Sequence, residues 1–302
     1  MNSIESIRLD FYSQIKELNK IRNRRIFDDC IYVGSGDSYV VGLIAEFLTD
    51  HTCRCYSPSD LLNSRFTDGK TYCFISVTGR TKANLSVAKR ATQAGLRTVA
   101  ITSNKKSKLA QICREVVPVN ITNNQIATFV ANVVTCLQIA GITVPQKFGT
   151  WQRNGTRLSL DFLESVNVPK GESLYVLGNG VLYALALYAS LKMAEFFGTA
   201  AIAHKLEEFC HSPIFGIKKS DHIWMLGQNE ETVSQKLSNL GLNFSYFELY
   251  NSNVSAQIFQ SIFFLQSLIL LLAERNGSTE LEYRIRKDLL KCSSDIIYNN
   301  SI

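Results

Sequence analysis

Ile4, Ile7, Phe11, Ile15 and Leu18 recur every three or four positions, which predicts an amphipathic helix within residues 1–25. After it the rhythm changes. Short unbroken apolar runs alternate with longer stretches of helical period. The runs predict strands at 30–33, 52–56, 72–76, 98–102 and 116–119. The longer stretches predict helices at 40–48, 82–94, 107–112 and 127–140. Ser57-Pro58-Ser59-Asp60 reads as a turn and helix cap, and Gly95 and Gly141 close two of the helices. Strands that are apolar throughout and alternate with helices predict a parallel sheet covered on both faces.

Residues 142–170 break this rhythm with Pro145, Gly149, Gly155 and Pro169, and read as a linker with one helix. The pattern then restarts. The stretch LYVLGNGVLYALALYASLKMAEFF at 174–197 echoes IYVGSGDSYVVGLIAEFL at 31–48. Further strands are predicted at 222–226 and 244–249, and helices at 231–239 and 257–274. The expectation is a duplicated α/β architecture of two doubly wound parallel sheets, each a three-layer sandwich. Its parts would be an N-terminal helix at 1–25, a first domain at 26–145, a linker at 146–170 and a second domain with a C-terminal tail at 171–302. Ligands of such sheets sit outside the carboxyl ends of the strands.

Composition narrows the picture. The 302 residues suit two domains, and 46% hydrophobic against 19% charged content describes a folded chain. A net charge of +6 permits an anionic ligand without demanding nucleic acid, and the tightest basic cluster, residues 22–25, is short. The eight cysteines include no CxxC pair and no zinc spacing, and several lie in apolar runs, as in a reducing cytoplasm. The N-terminus lacks a signal-peptide core. The apolar run 258–273 is too short for a membrane span and is interrupted by Gln260 and Gln266, so it reads as a buried helix.

Two loops of the first half carry candidate chemistry. Gly34-Ser35-Gly36-Asp37-Ser38 and Ser76-Val77-Thr78-Gly79-Arg80-Thr81 each follow a strand and open a helix. A helix N-terminus offers unpaired N–H groups and a partial positive charge, hydroxyls add donors, and Gly79 admits close backbone approach. The same residue types also cap ordinary helices. Tyr39 stands where a dinucleotide fingerprint needs its third glycine, and no GxxxxGK[ST] motif is present.

The second half holds another constellation. Lys192 and Glu195 share a helix face with Tyr188, Leu191 and Phe196, which would partly bury the carboxylate. Glu208 and His211 stand three apart just before Pro213, as in a loop lining a cleft. An exposed ion pair and a helix-end histidine are the plainer readings of these four residues.

Together these stretches resemble the sugar isomerase (SIS) superfamily in its two-domain form, as in the isomerase half of glucosamine-6-phosphate synthase. SVTGRT resembles that family's SQSGET loop, GSGDSY its CGTSY, and the stretch 191–213 lies without a gap on its catalytic helix and histidine loop. The resemblance spans about residues 25–290. It implies that Ser38, Ser76, Thr78, Gly79 and Thr81 bind a sugar phosphate, with Gly36 and Arg80 as secondary candidates. It implies Lys192 near the C1–C2 end of the substrate, Glu195 as the proton shuttle, His211 in ring opening and Glu208 beside it. In the family that histidine comes from the partner subunit, so a homodimer is implied. A tail lysine of the family falls at Lys287 or Asp288, depending on a one-residue shift.

There are departures. Val77 and Arg80 replace a glutamine and a glutamate, and Ser212 replaces a glycine. No glutaminase domain is expected, because only about 25 residues precede the first strand. The resemblance therefore implies aldose–ketose isomerisation of a hexose 6-phosphate or amino-hexose 6-phosphate, without metal or other cofactor. Stand-alone proteins similar to this one act as glucosamine-6-phosphate deaminases in some archaea, which makes deamination the alternative chemistry. A lyase or epimerase acting on another phosphosugar is a further expectation. So is a non-catalytic sugar-phosphate sensor, since such domains also serve in regulators. No nucleic-acid or membrane partner is expected.

Overall fold

A computed structural model describes residues 1–22, 26–27, 29–119, 126–227, 231–249 and 251–298. Of the short basic cluster only Arg22 lies among them. Two compact units divide the chain, and each draws on both of its ends. One comprises Tyr12–Gln146 and the residues from Lys287 on, and the other Met1–Phe11 and Lys147–Arg286. Helix α1 (Ser3–Leu18) contributes to both, and its Ile4, Ile7, Phe11 and Leu18 are buried, as their spacing predicts.

The first unit runs β1 (Cys30–Val33), α2 (Asp37–Leu48), β2 (Arg54–Tyr56), α3 (Pro58–Leu61), β3 (Thr71–Ile75), α4 (Lys82–Gln93), β4 (Arg97–Thr102), α5 (Lys108–Ile112), β5 (Glu115–Pro118) and α6 (Ala127–Ile139). All strand pairs are parallel, in the order β2-β1-β3-β4-β5. Every residue of β1 and β3 is buried, and all but Thr71 at the start of β3 are apolar. Ser57 and Asp60 form the capping box anticipated at the start of α3.

The second unit continues with α7 (Phe148–Leu163), β6 (Ser173–Gly178), α8 (Val181–Phe197), β7 (Ala200–His204), α9 (Leu206–His211), a single 3-10 turn, β8 (His222–Gly227), α10 (Glu231–Ser238), β9 (Asn243–Glu248), α11 (Val254–Arg275) and α12 (Glu282–Ile285). Its parallel sheet has the order β7-β6-β8-β9, which repeats the first four positions of the other sheet. The repeat extends to single residues. Gly36 opens α2 at φ 56°, ψ −130°, and Gly180 opens α8 at φ 54°, ψ −132°. The fold is thus α/β with two parallel sheets, as the alternation predicts.

Some expectations change. The one helix expected within the linker segment, α7, fills most of 146–170, and its Phe148, Trp151 and Gly155 are buried against α11. Trp151 stacks on Phe259 at 5.1 Å, and a side chain at position 155 would strike the α11 backbone near Phe264. The apolar run at 258–273 extends by a turn or so at each end into the 22-residue α11, which is long enough to cross a bilayer. It is nonetheless a core helix, with 89% of its most apolar window buried. From Lys287 the chain forms α13 (Lys287–Tyr298), which packs on α4 of the first unit and buries none of its own residues.

Candidate functional site

The first sheet positions one of the two candidate constellations. From β1 the chain steps outward to β2, then returns past β1 to β3, so the carboxyl ends of β1 and β3 lie side by side where the winding direction reverses. The loops ending these two strands are the two anticipated from composition. Gly36 caps α2 and Thr81 caps α4, and neither cap gives its helix a side-chain hydrogen bond. Two helix N-termini therefore open from neighbouring strands, a setting suited to an anion.

The 76–81 loop is braced from below. Ser76 N–H donates to Ile101 O at 3.0 Å, and the buried Ser76 Oγ accepts the Gly79 N–H at 3.1 Å. The Val77 carbonyl accepts from Thr102 Oγ1 at 3.0 Å and from Ser103 N–H at 3.2 Å. Gly79 has φ +61°, and any side chain there would run into Ser107. This turn holds Thr78 at the surface and Thr81 half-buried at the helix start. Arg80 is exposed, its guanidinium 5.8 Å from the Tyr298 ring of α13. Lys287 opens that helix and is exposed.

Ser38 faces a cleft of about 190 Å³ whose wall also includes Asp37, Val77, Thr128, Phe129 and Asn132. Thr128, only 3% exposed, has a buried hydroxyl without a hydrogen-bond partner among the described residues. Sequence reasoning missed Thr128 and Asn132, because inside the apolar run ATFVANVV they look like core positions. Their available signal was two polar side chains in the first turns of a helix that starts at the carboxyl end of the sheet. The Asp37 carboxylate on this wall can accept hydrogen bonds from hydroxyl groups, and the uncapped helix ends offer N–H donors.

In the second unit Lys192 and Glu195 meet on α8, with Nζ 2.7 Å from Oε2. The carboxylate is partly buried, as expected, and the structure buries the lysine more deeply. Its side chain is 8% exposed against 41% for Glu195. The ammonium lies 5.5 Å from the Tyr188 ring centroid, and the Tyr188 hydroxyl accepts from Gln266 Nε2 at 3.1 Å. A cation thus sits under an accessible carboxylate.

Glu208 and His211 do not line a loop. They lie on α9, where the fully buried Phe209 packs 5.6 Å from the Tyr175 ring and turns both of them to solvent. His211, with its side chain 72% exposed, lies 3.8 Å from Glu207, its neighbour at helical spacing.

No protein-family model matches the chain, and no curated protein matches it by sequence. Solved structures do match. The glucosamine-6-phosphate deaminase of Thermotoga maritima superposes with a TM-score of 0.74 at 18% identity, over 91% of this chain and 95% of that one. The C-terminal domain of glucosamine-fructose-6-phosphate aminotransferase from Francisella tularensis gives 0.67 at 16% identity, over 90% and 96%. Tagatose-6-phosphate ketose/aldose isomerase from Escherichia coli gives 0.65 at 16% identity, over 91% and 89%. The chain shares the fold of these phosphosugar proteins along nearly its whole length.

Proposed function

We propose that this protein is an aldose–ketose isomerase or deaminase acting on a hexose 6-phosphate or amino-hexose 6-phosphate. The observation that carries the reading is the buried Lys192 ammonium set 2.7 Å from an accessible Glu195 carboxylate, in a chain with the fold of phosphosugar isomerases and a deaminase.

The helix ends at Gly36 and Thr81, with Ser38, Ser76, Thr78 and Gly79, hold the phosphate and so fix the reacting carbons. Glu195 takes the proton from C2 of the open-chain aldose, the electron pair of that C–H bond forms the C1–C2 double bond, and the C1 carbonyl pair moves to O1, which takes up the proton of the C2 hydroxyl. Glu195 then returns the proton to C1 and the C2 carbonyl forms. Lys192 stabilises the oxyanion that develops between these steps. For a 2-amino sugar the same shuttle yields a C2 imine, which water converts to a ketose with release of ammonia.

His211 and Glu208 act in ring opening. Because His211 points outward on α9, it serves the site of a second copy of the chain, and the working form is a homodimer. Lys287 is a tail candidate for the same substrate.

Proton NMR in D2O with fructose 6-phosphate, with and without ammonium, and with glucosamine 6-phosphate tests the reading. Deuterium incorporation that disappears in Glu195→Gln supports it, and ammonia dependence selects the deaminase. Exchange that survives Glu195→Gln overturns the assignment of the base.

A sensor is the second reading. It is favoured by Arg80, which stands in the phosphate loop and lies against Tyr298. Saturable binding of either sugar phosphate without exchange selects it.

A further inference from the structure

Helix α6 carries a polar side chain for which the fold has no use. Every residue of the helix but Gln138 is buried. Asn132, in its second turn, is 4% exposed, and its amide makes no hydrogen bond among the described residues. An asparagine is unfavourable there on two counts. It forms helix less readily than the leucine or alanine that would fill the place. Its amide also gives up hydrogen bonds to water without gaining any from the protein.

The residue stands on the cleft of about 190 Å³ bounded by Asp37, Ser38 and Val41 of α2, Val77 of the 76–81 loop, and Thr128, Phe129 and Asn132 of α6. The Thr128 hydroxyl is sealed beneath the surface, whereas neither amide atom of Asn132 is. That amide is therefore the polar group that α6 offers to the cleft. Apolar surface from Val41, Val77 and Phe129 surrounds it. Ser38 places the same wall beside the helix end at Gly36, where the phosphate is assigned above.

A carboxamide presents an acceptor and a donor side by side in one plane. A phosphate, which offers acceptors, would satisfy only the nitrogen. Two neighbouring hydroxyl groups on a carbon chain satisfy both atoms, one donating to Oδ1 and the other accepting from Nδ2. The C–H groups of the same chain suit the apolar part of the wall.

We propose that Asn132 is a substrate-reading residue, whose amide holds two neighbouring hydroxyl groups of the sugar chain while the phosphate occupies the helix ends at Gly36 and Thr81. The inference rests on the sugar-phosphate reading above and adds to it a residue that sets specificity.

Calorimetric titration of the full chain with fructose 6-phosphate and, separately, with inorganic phosphate tests it, together with thermal melting. Asn132→Leu is expected to weaken fructose 6-phosphate about tenfold or more and to leave inorganic phosphate within about twofold. The variant is expected to melt no lower than the parent, because the leucine replaces an amide that the fold leaves unpaired. An asparagine with a purely structural role would instead lower the melting temperature and weaken both ligands alike, which would overturn the proposal. Undiminished affinity for fructose 6-phosphate would mean that the amide is only hydrated; it overturns the inference and leaves the functional reading standing. A parent protein that binds neither fructose 6-phosphate nor glucosamine 6-phosphate overturns both. Should Asn132→Leu fail to fold, Asn132→Ala decides with the same two ligands.

Discussion

Lys192 and Glu195 play unequal parts, because burial falls on the ammonium and access on the carboxylate. Removing the carboxylate therefore has two separable effects. Glu195→Gln keeps an oxygen acceptor over Lys192, so stability changes little, while turnover falls by about 10²–10⁴-fold. Glu195→Ala strands the buried cation and lowers the melting temperature as well. Comparing the two by scanning calorimetry and steady-state kinetics checks the distinction. Gly79→Ala meets both an unfavourable φ and the Ser107 side chain, and is expected to cost roughly 1–3 kcal/mol and to weaken sugar-phosphate binding. Denaturant titration and calorimetry measure the two. His222 supplies a pH dependence. Burial holds its pKa below the ordinary 6.5, against the opposing pull of Glu172 and Asp221. A depressed imidazole pKa means that below pH 6.5 the unfolded chain binds the proton more readily than the folded one. The stability due to this group is complete above 6.5 and is lost as pH falls toward the folded value. Melting temperatures from pH 7.5 to 5 are expected to fall less steeply in His222→Gln than in the parent.

Elements were legible where a single pattern governed them. β1 and β3 are wholly buried, so their apolar runs marked them directly, and α11 announced itself by length and hydropathy. β7 was missed because AAIAH is an edge strand with alternate residues open to solvent, and its alanines carry little strand preference. α9 was read as a loop because the proline after it suggested irregular chain, yet the buried Phe209 anchors a helical turn and so places Glu208 and His211. The phosphate loop was visible in its residue types. The order of burial in the Lys192–Glu195 pair, and the presence of Thr128 and Asn132 on the cleft, depend on neighbours far along the chain that no local pattern records. Gly155 belongs at this scale, since it lets α7 approach α11 closely enough that a side chain there would meet Phe264 N at 2.6 Å. Gly155→Ala is expected to destabilise the second unit by about 1–3 kcal/mol, measured by denaturant titration.

For the molecule as a whole, thiol burial gives a direct check. Six of the eight cysteines are buried, and Cys210 and Cys292 are exposed. Burial raises the thiols of Cys55 and Cys136 and pushes Cys113 up to about 12, while mutual contacts and burial raise Cys53. The thiolate is the reactive form. A disulfide reagent at pH 8 is therefore expected to titrate two thiols in the native protein and all eight after unfolding. The interleaving of the two units reaches further, into synthesis. The second sheet's unit enlists Met1–Phe11, and the first sheet's unit enlists the chain from Lys287 on. A ribosome delivers the first sheet early, but its unit gains α13 only after the whole second sheet has emerged. The earliest residues in turn wait for partners translated well over a hundred codons later. Each unit is therefore complete only once a later part of the chain has been made.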